Sequence, residues 1–270
     1  MGELFNINER VILITGGTGI LGSVIASYLA GEGARMVILG RRKEAGEALV
    51  KEIREKGGEA IFLRTDVMNE ALLLKNREEI MSRYGQIDAL LNAAGGNMAG
   101  ANIPPEKTFF DLDMDQFDEV VRLNLTGTVL PSQVFLEPMV ERKKGVILNF
   151  SSMAAFRPMT RVVGYAAAKA GVTNFTQFLA NEVATKFGEG IRVNAIAPGF
   201  FLTEQNRELL TNPDGSYTQR GGDVIRQTPF KRLGRPEELC GTIHYLVSDA
   251  SAFVTGTTIT VDGGFNAFAM

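Results

Sequence analysis

The stretch "TGGTGILG", Thr15–Gly22, places glycines at positions 16, 19 and 22, directly after the apolar run "RVILI". A chain that leaves a buried strand and opens a helix can use residues without side chains at such a corner. Gly16 can take a backbone angle closed to other residues, Gly19 lets the main chain approach a pyrophosphate, and Gly22 lets helix and strand pack closely. Thr18 and Ile20 complete the turn, and the free N–H groups of the helix start face any anion held there. The same corner also serves packing alone, so its neighbours must decide.

Outward from this corner, strand-like runs recur: "RVILIT", "RMVILG", "EAIFLRT", "DALLNA", "GVILNFS", "IRVNAIA" and "TTITVDG". Most are continuously apolar rather than alternating, as expected of strands buried on both faces of a parallel sheet. Helical patterns separate them, among them "GSVIASYLAGEG", "KEAGEALVKEIREKGG" and "YAAAKAGVTNFTQFLANEVATKFGEG", and several end on glycine, the usual C-cap. Strand and helix thus alternate along the chain. That predicts an α/β, Rossmann-like, doubly wound parallel sheet of about seven strands with helices on both faces, in one domain over residues 1–270. Two segments interrupt the rhythm, near residues 96–114 and 199–235. Both follow strand C-termini, where open α/β sheets bind ligands, and they are the candidate substrate walls.

Composition narrows the partners. The 270 residues are 45% hydrophobic and 22% charged with net charge −3, so no broad basic surface invites nucleic acid. No apolar run approaches the roughly 20 residues that span a bilayer. "MGELFNINER" lacks the apolar centre of a secretory signal, and the single Cys240 excludes an internal disulfide. A cytoplasmic protein is expected. Cys240 and His244 are spaced by one helical turn, but no second histidine exists, so packing is expected there and no metal.

Cofactor expectations follow from the strand ends. After the second strand, where an NAD-binding fold usually carries an acid for the ribose, stand Gly40, Arg41, Arg42 and Lys43. Cations ahead of a helix oppose its dipole unless an anion lies nearby, and a 2′-phosphate is such an anion. NADP is therefore expected, with NAD as the alternative, against a merely solvated basic turn. "TDV" offers Asp66, beside Val67, as an adenine contact or as a helix N-cap. "LLNAAGG" supplies Asn92, Ala93 and Gly95 to a close backbone approach.

"YAAAK" sets Tyr165 and Lys169 on one helix face. A phenol with a pKa near 10 shuttles protons poorly at neutrality, and a nearby ammonium draws that value down. The pair follows the strand "GVILNFSS", which brings Ser151 and Ser152 to the same sheet edge. With "TGGTGILG", "NAAG", "NLTG", "SS" before "YAAAK", "PG" (Pro198, Gly199) with Thr203, and "VTGTTITVDGG", the chain resembles the short-chain dehydrogenase/reductase family over essentially its whole length. The resemblance implies a catalytic tetrad of Asn124, Ser152, Tyr165 and Lys169. Tyr165 exchanges the proton at the substrate oxygen and Ser152 holds that oxygen. Lys169 binds the nicotinamide ribose and tunes the tyrosine, while Asn124 bends its helix and anchors a water relay. The glycine spacing T-G-x-x-G-x-x-G departs from the T-G-x-x-x-G-x-G of compact members, although the later motifs fit that compact branch.

For the substrate, "SSMAAFRPMTRVVGY" carries Arg157 and Arg161 past the reacting carbon, and arginine suits a carboxylate grip. Asn97, Gln205, Asn206 and Arg207 add hydrogen-bonding groups from the long loops. This set is more polar than an acyl-chain or steroid pocket needs, which points to an anionic sugar-like carbonyl compound. "NAAGGNMAGA" with "PGFFLTEQNRELL" resembles the D-mannonate oxidoreductases (fructuronate reductases), which implies D-fructuronate and D-mannonate as the substrate pair. Other short-chain reductases, of gluconate 5-dehydrogenase or 3-oxoacyl type, remain open, as does a dinucleotide sensor without chemistry. Family habit implies a homotetramer, with "FNAFAM" packing on a neighbouring subunit or trailing as a tail.

Overall fold

The computed structural model describes residues 3–203 and 207–268. Seven parallel strands form one sheet in the order β3-β2-β1-β4-β5-β6-β7. They are β1 (Val11–Thr15), β2 (Arg35–Gly40), β3 (Glu59–Arg64), β4 (Ala89–Asn92), β5 (Gly145–Phe150), β6 (Ile191–Pro198) and β7 (Thr258–Val261). Every residue of β1, β4 and β5 is buried, as their unbroken apolar runs require.

Because side chains alternate across a strand, each central strand feeds two cores. Ile12 and Ile14 join one, where α1 (Ile20–Gly31), α2 (Lys43–Glu55) and α9 (Cys240–Val247) contribute Ile25, Leu29, Ile53 and Ile243. Val11 and Leu13 join the other, under α3 (Glu70–Tyr84), α5 (Gly127–Arg142) and α6 (Val163–Phe187), with Leu73, Phe135 and Val183. Each such side chain removed from water contributes roughly 2 kcal/mol. The two layers pin β1 in the middle, and the strand order reverses beside it, between β1 and β4. That is where a doubly wound sheet leaves a crevice at its carboxyl edge.

The helical pattern that runs from "DQFDEVV" into "GTVLPSQ" is divided in the structure. An α-helix, α4 (Met114–Val121), passes through a π-helical turn (Arg122–Thr126) into α5. The second long loop is also less irregular than its glycines suggest, holding α7 (Arg207–Leu210) and α8 (Gln219–Gln227).

Near the C-terminus, Phe265 is buried on this same chain, against Met153, Ala197, Met159 and Phe200. Cys240 is buried, and burial raises its thiol pKa to about 11. His244 lies between Tyr28 and the Phe5 carbonyl, at 3.1 and 2.7 Å. A carbonyl only accepts, so Nε2 carries the proton and Nδ1 takes the Tyr28 hydroxyl.

Candidate active site

The β1–α1 corner follows from its glycines. Gly16 has φ +65°, and a Cβ there would lie 2.8 Å from Ala94 Cα. A Cβ on Gly22 would lie 2.5 Å from the Gly16 carbonyl oxygen, so α1 approaches the turn closer than any side chain permits. Gly19 caps α1 without a side-chain hydrogen bond. The result is one wall of a cleft of about 940 Å³, formed by Gly16, Thr18, Gly19, Ile20 and Gly22. Gly40, Arg41 and Arg42 close it beyond β2, Asp66 and Val67 beyond β3, Ala93 and Gly95 beyond β4, and Gly199 and Thr203 beyond β6. Arg42 donates to the Thr18 carbonyl. These residues fit a dinucleotide: the cradle is one that Cβ atoms would fill, and it extends over the strand ends.

The two readings of Asp66 now separate. The N-cap of α3 is Asn69, whose Oδ1 accepts from Leu72 N at 3.0 Å, while Asp66 accepts from Met68 N and leaves its carboxylate at the cleft. Asn92 departs from expectation. Its side chain is buried between β4 and β5, donating to Ser132 Oγ and Asn149 Oδ1 at 2.8 and 2.9 Å, and does not line the cleft.

A second cavity, of about 260 Å³, adjoins the first, since Gly199 and Phe200 wall both. Ser152 and Tyr165 face it, with Asn97 and Pro198. Ser152 stands two residues beyond the end of β5 and accepts from Ala154 N at 3.2 Å, and its hydroxyl shares the cavity wall with the Tyr165 phenol. Tyr165 and Lys169 lie one turn apart on α6, with the ammonium 5.5 Å from the tyrosine ring centre. Lys169 is buried and donates to the Phe150 carbonyl at 2.7 Å. Burial lowers its pKa to about 8. Burial also raises the Tyr165 pKa, and the counteracting pull comes from Ser152. For this phenol desolvation is the larger influence, and the serine opposes it.

Asn124 lies in the π-helical turn, fully buried. Its Nδ2 donates to the Val120 and Gly96 carbonyls at 2.8 and 2.7 Å, and Oδ1 accepts from Gly96 N at 3.3 Å. Within its own helix the asparagine thus satisfies the Val120 carbonyl, beside the wider turn, and across the site both polar groups of the Gly96 backbone. A Cβ on Gly95 would lie 2.6 Å from Asn124 Oδ1 and 3.5 Å from Lys169 Nζ, so Gly95 covers both.

The expected substrate contacts divide. Asn97 lines the second cavity but bonds Asn102 within its own loop. Arg157 does not reach the cavity; it donates to the Phe265 carbonyl at 2.7 Å and stacks on that ring, holding the C-terminal segment in place. Thr160 and Val162 line the cavity on either side of Arg161. Gln205 and Asn206 lie outside the described residues. The walls are more apolar than expected, with Met153, Met159, Val162 and Phe200. Sequence reading missed Arg220, on α8, whose only signal was a basic residue inside the second long loop.

Two joined cavities at the carboxyl edge of a parallel sheet, one shaped by glycines and the other lined by a serine and a tyrosine, define a Rossmann-type oxidoreductase of CH–OH and C=O groups. The chain belongs to the short chain dehydrogenase family, whose model matches residues 10–214. It is 44% identical to an uncharacterized oxidoreductase, UxuB, of Bacillus subtilis (strain 168), over 98% of this chain and 97% of that protein. A crystal structure from Haemophilus influenza with bound NAD, provisionally named a D-mannonate oxidoreductase, superposes with TM-score 0.92 at 39% identity, covering 98% of this chain and 97% of that one. A gluconate 5-dehydrogenase from Burkholderia cenocepacia, in complex with NADP and tartrate, gives TM-score 0.86 at 32% identity, covering 99% of each chain. Among the described residues no helix is long and apolar enough to cross a membrane.

Proposed function

We propose that this chain is a cytoplasmic NADP-dependent reductase of the ketone of a sugar acid, converting D-fructuronate to D-mannonate. The observation that carries the reading is the shared wall of Gly199 and Phe200, which sets the Ser152–Tyr165 pocket against the dinucleotide-sized cleft. The similarity to the provisionally named D-mannonate oxidoreductase supports the choice of sugar acid.

A nicotinamide dinucleotide, held by the β1–α1 turn, Asp66, Val67, Ala93, Gly95, Thr203 and Lys169, supplies the hydride when bound. Ser152 holds the substrate oxygen and Tyr165, a neutral phenol at pH 7, donates the proton to it. Lys169 lies behind the tyrosine, and Asn124 fixes the Gly96 backbone beside the pocket. For the dinucleotide's phosphate, a Cβ at residue 40 would meet Thr18 Oγ1 at 2.9 Å, so the chain turns there with glycine, and Arg41 and Arg42 line the cleft next. The alternative is NAD, favoured by its presence in the similar Haemophilus structure.

The test is turnover of D-fructuronate, tagaturonate, 5-keto-gluconate and an acetoacetyl thioester with NADPH and with NADH. Preference for D-fructuronate supports the reading, and failure to reduce the uronates removes it. Preference for 5-keto-gluconate would favour the second reading, which rests on the similarity to the gluconate 5-dehydrogenase. The reading includes a homotetramer, supported by exposed Phe178 on α6 and Phe253 near β7. Sedimentation at four times the 29.3 kDa chain mass is the expected result, and a monomer contradicts it.

A further inference from the structure

Arg220, carried by α8 within the second long loop, lines the second cavity together with Ser152 and Tyr165. The start of α8, which carries it, is pinned. Thr218 caps α8 by accepting from Gly221 N and donates to the Leu209 carbonyl, while a Cβ on Gly221 would lie 2.1 Å from the Leu210 carbonyl oxygen. Arg161 stands between two residues that line the same cavity. Its backbone has φ +80°, an angle that a non-glycine residue keeps only where its surroundings insist. The Ile103 N–H, donating to the Arg161 carbonyl at 2.8 Å, supplies one such constraint.

Neither guanidinium has a hydrogen bond or ion pair among the described residues, although each is partly buried. Arg161 is near enough that its charge, added to burial, lowers the Arg220 pKa. Two like charges brought together beside an apolar wall, with no carboxylate paired to either among the described residues, cost free energy that an incoming anion recovers. A guanidinium also matches a carboxylate through two parallel hydrogen bonds.

We propose that Arg220, assisted by Arg161, binds the substrate's carboxylate and selects keto acids over neutral ketoses. This rests on the reductase reading of the Ser152–Tyr165 pocket and adds the residue that sets substrate class. It also explains how a pocket walled by Met153, Met159 and Phe200 accepts a charged sugar: the charge is received at one point, and the carbon chain lies along the apolar side.

The test compares kcat/KM for D-fructuronate and D-fructose, which carries CH₂OH where the uronate has its carboxylate. Arg220→Gln is expected to reduce the uronate-to-fructose ratio about 10- to 100-fold, mainly through KM, as for a lost hydrogen bond to a charged group. Arg220→Lys should retain part of the preference, and Arg161→Gln should lose less than Arg220→Gln. A cofactor-induced thermal shift equal to the wild type's shows that each variant is folded. If the wild type reduces D-fructuronate but Arg220→Gln leaves the ratio unchanged, or lowers both substrates alike, this inference falls while the proposed function stands. If the wild type rejects D-fructuronate yet prefers another keto acid over its neutral counterpart in an Arg220-dependent way, the substrate assignment falls and the inference stands. Preference for the neutral member of every pair overturns the inference.

Discussion

An ammonium enclosed behind the Tyr165 ring is costly to fold around. Lys169 donates to one carbonyl and is otherwise desolvated, which lowers its pKa from 10.5 to about 8. Below pH 8 the folded protein bears the full cost of a buried cation. Between pH 8 and 10.5 the folded state sheds that proton while the unfolded chain keeps it, so stability climbs with pH, by on the order of 3 kcal/mol across the window. Denaturant titrations of wild type and Lys169→Met should therefore diverge steadily from pH 8 to 10, the variant lacking this climb. Parallel curves would show that the charge is solvated after all. Tyr165 titrates in the opposite sense, burial holding its phenol neutral above the usual range. That suits proton donation near neutrality, whereas alcohol oxidation needs the phenolate. Ketone reduction should be nearly flat around pH 7, and oxidation should accelerate as pH rises. Tyr165→Phe should lose about 10²- to 10⁴-fold in kcat in both directions. A loss under about tenfold would mean that another group handles the proton.

At the scale of elements, the β1–α1 corner was legible because its glycines, a strand-like run before and a helical pattern after admit few geometries. Gly22 shows how tight the corner is. Alanine there places a Cβ 2.5 Å from the Gly16 oxygen and 2.9 Å from Gly17 Cα, both backbone atoms that cannot swing aside. Gly31, at the other end of α1, faces open space. Gly22→Ala should cost about 1–3 kcal/mol, as overpacking does, and weaken NADPH binding measured by its fluorescence. Gly31→Ala should be neutral or stabilising by up to about 1 kcal/mol, since alanine is the better helix former. Equal effects would mean that the corner opens more easily than its geometry allows. Other elements hid themselves. "VVRLNLTG" has ordinary helical periodicity, so only the resemblance, which has Asn124 bend its helix, pointed to an irregularity where the π-helical turn lies. Asn92 followed a motif to the cleft edge, but the alternation of a strand turned its side chain into the sheet, toward Ser132 and Asn149. Arg157 and Arg220 exchanged prominence because a long-range contact with Phe265 claimed the first, while α8, with two adjacent glycines, looked like loop and concealed the second.

For the whole molecule, the cleft joins the ends of β1, β2, β3, β4 and β6, so a ligand filling it ties together elements from both halves of the sheet. Anything that binds the folded chain alone stabilises all of it. At a free concentration a hundred times Kd the gain is about 2.7 kcal/mol. For a chain of this size that raises Tm by roughly 5–10 °C, taking 2–4 °C per kcal/mol. The basic turn after β2 makes the size of this shift depend on the cofactor. On the proposed NADP reading, the extra phosphate of NADPH meets Arg41 and Arg42, two cations at the cleft that an exposed turn would otherwise hold against the dipole of α2. At equal concentrations NADPH should therefore raise Tm further than NADH. Arg41→Asp should reverse the order, since a carboxylate repels the 2′-phosphate and accepts from a 2′-hydroxyl. The global readout separates this from a local kinetic effect, because no substrate is present and the Ser152–Tyr165 pocket takes no part. Equal shifts with both cofactors in wild type and variant would show that the cleft holds the dinucleotide by its pyrophosphate and adenine alone, and that Arg41 does not discriminate.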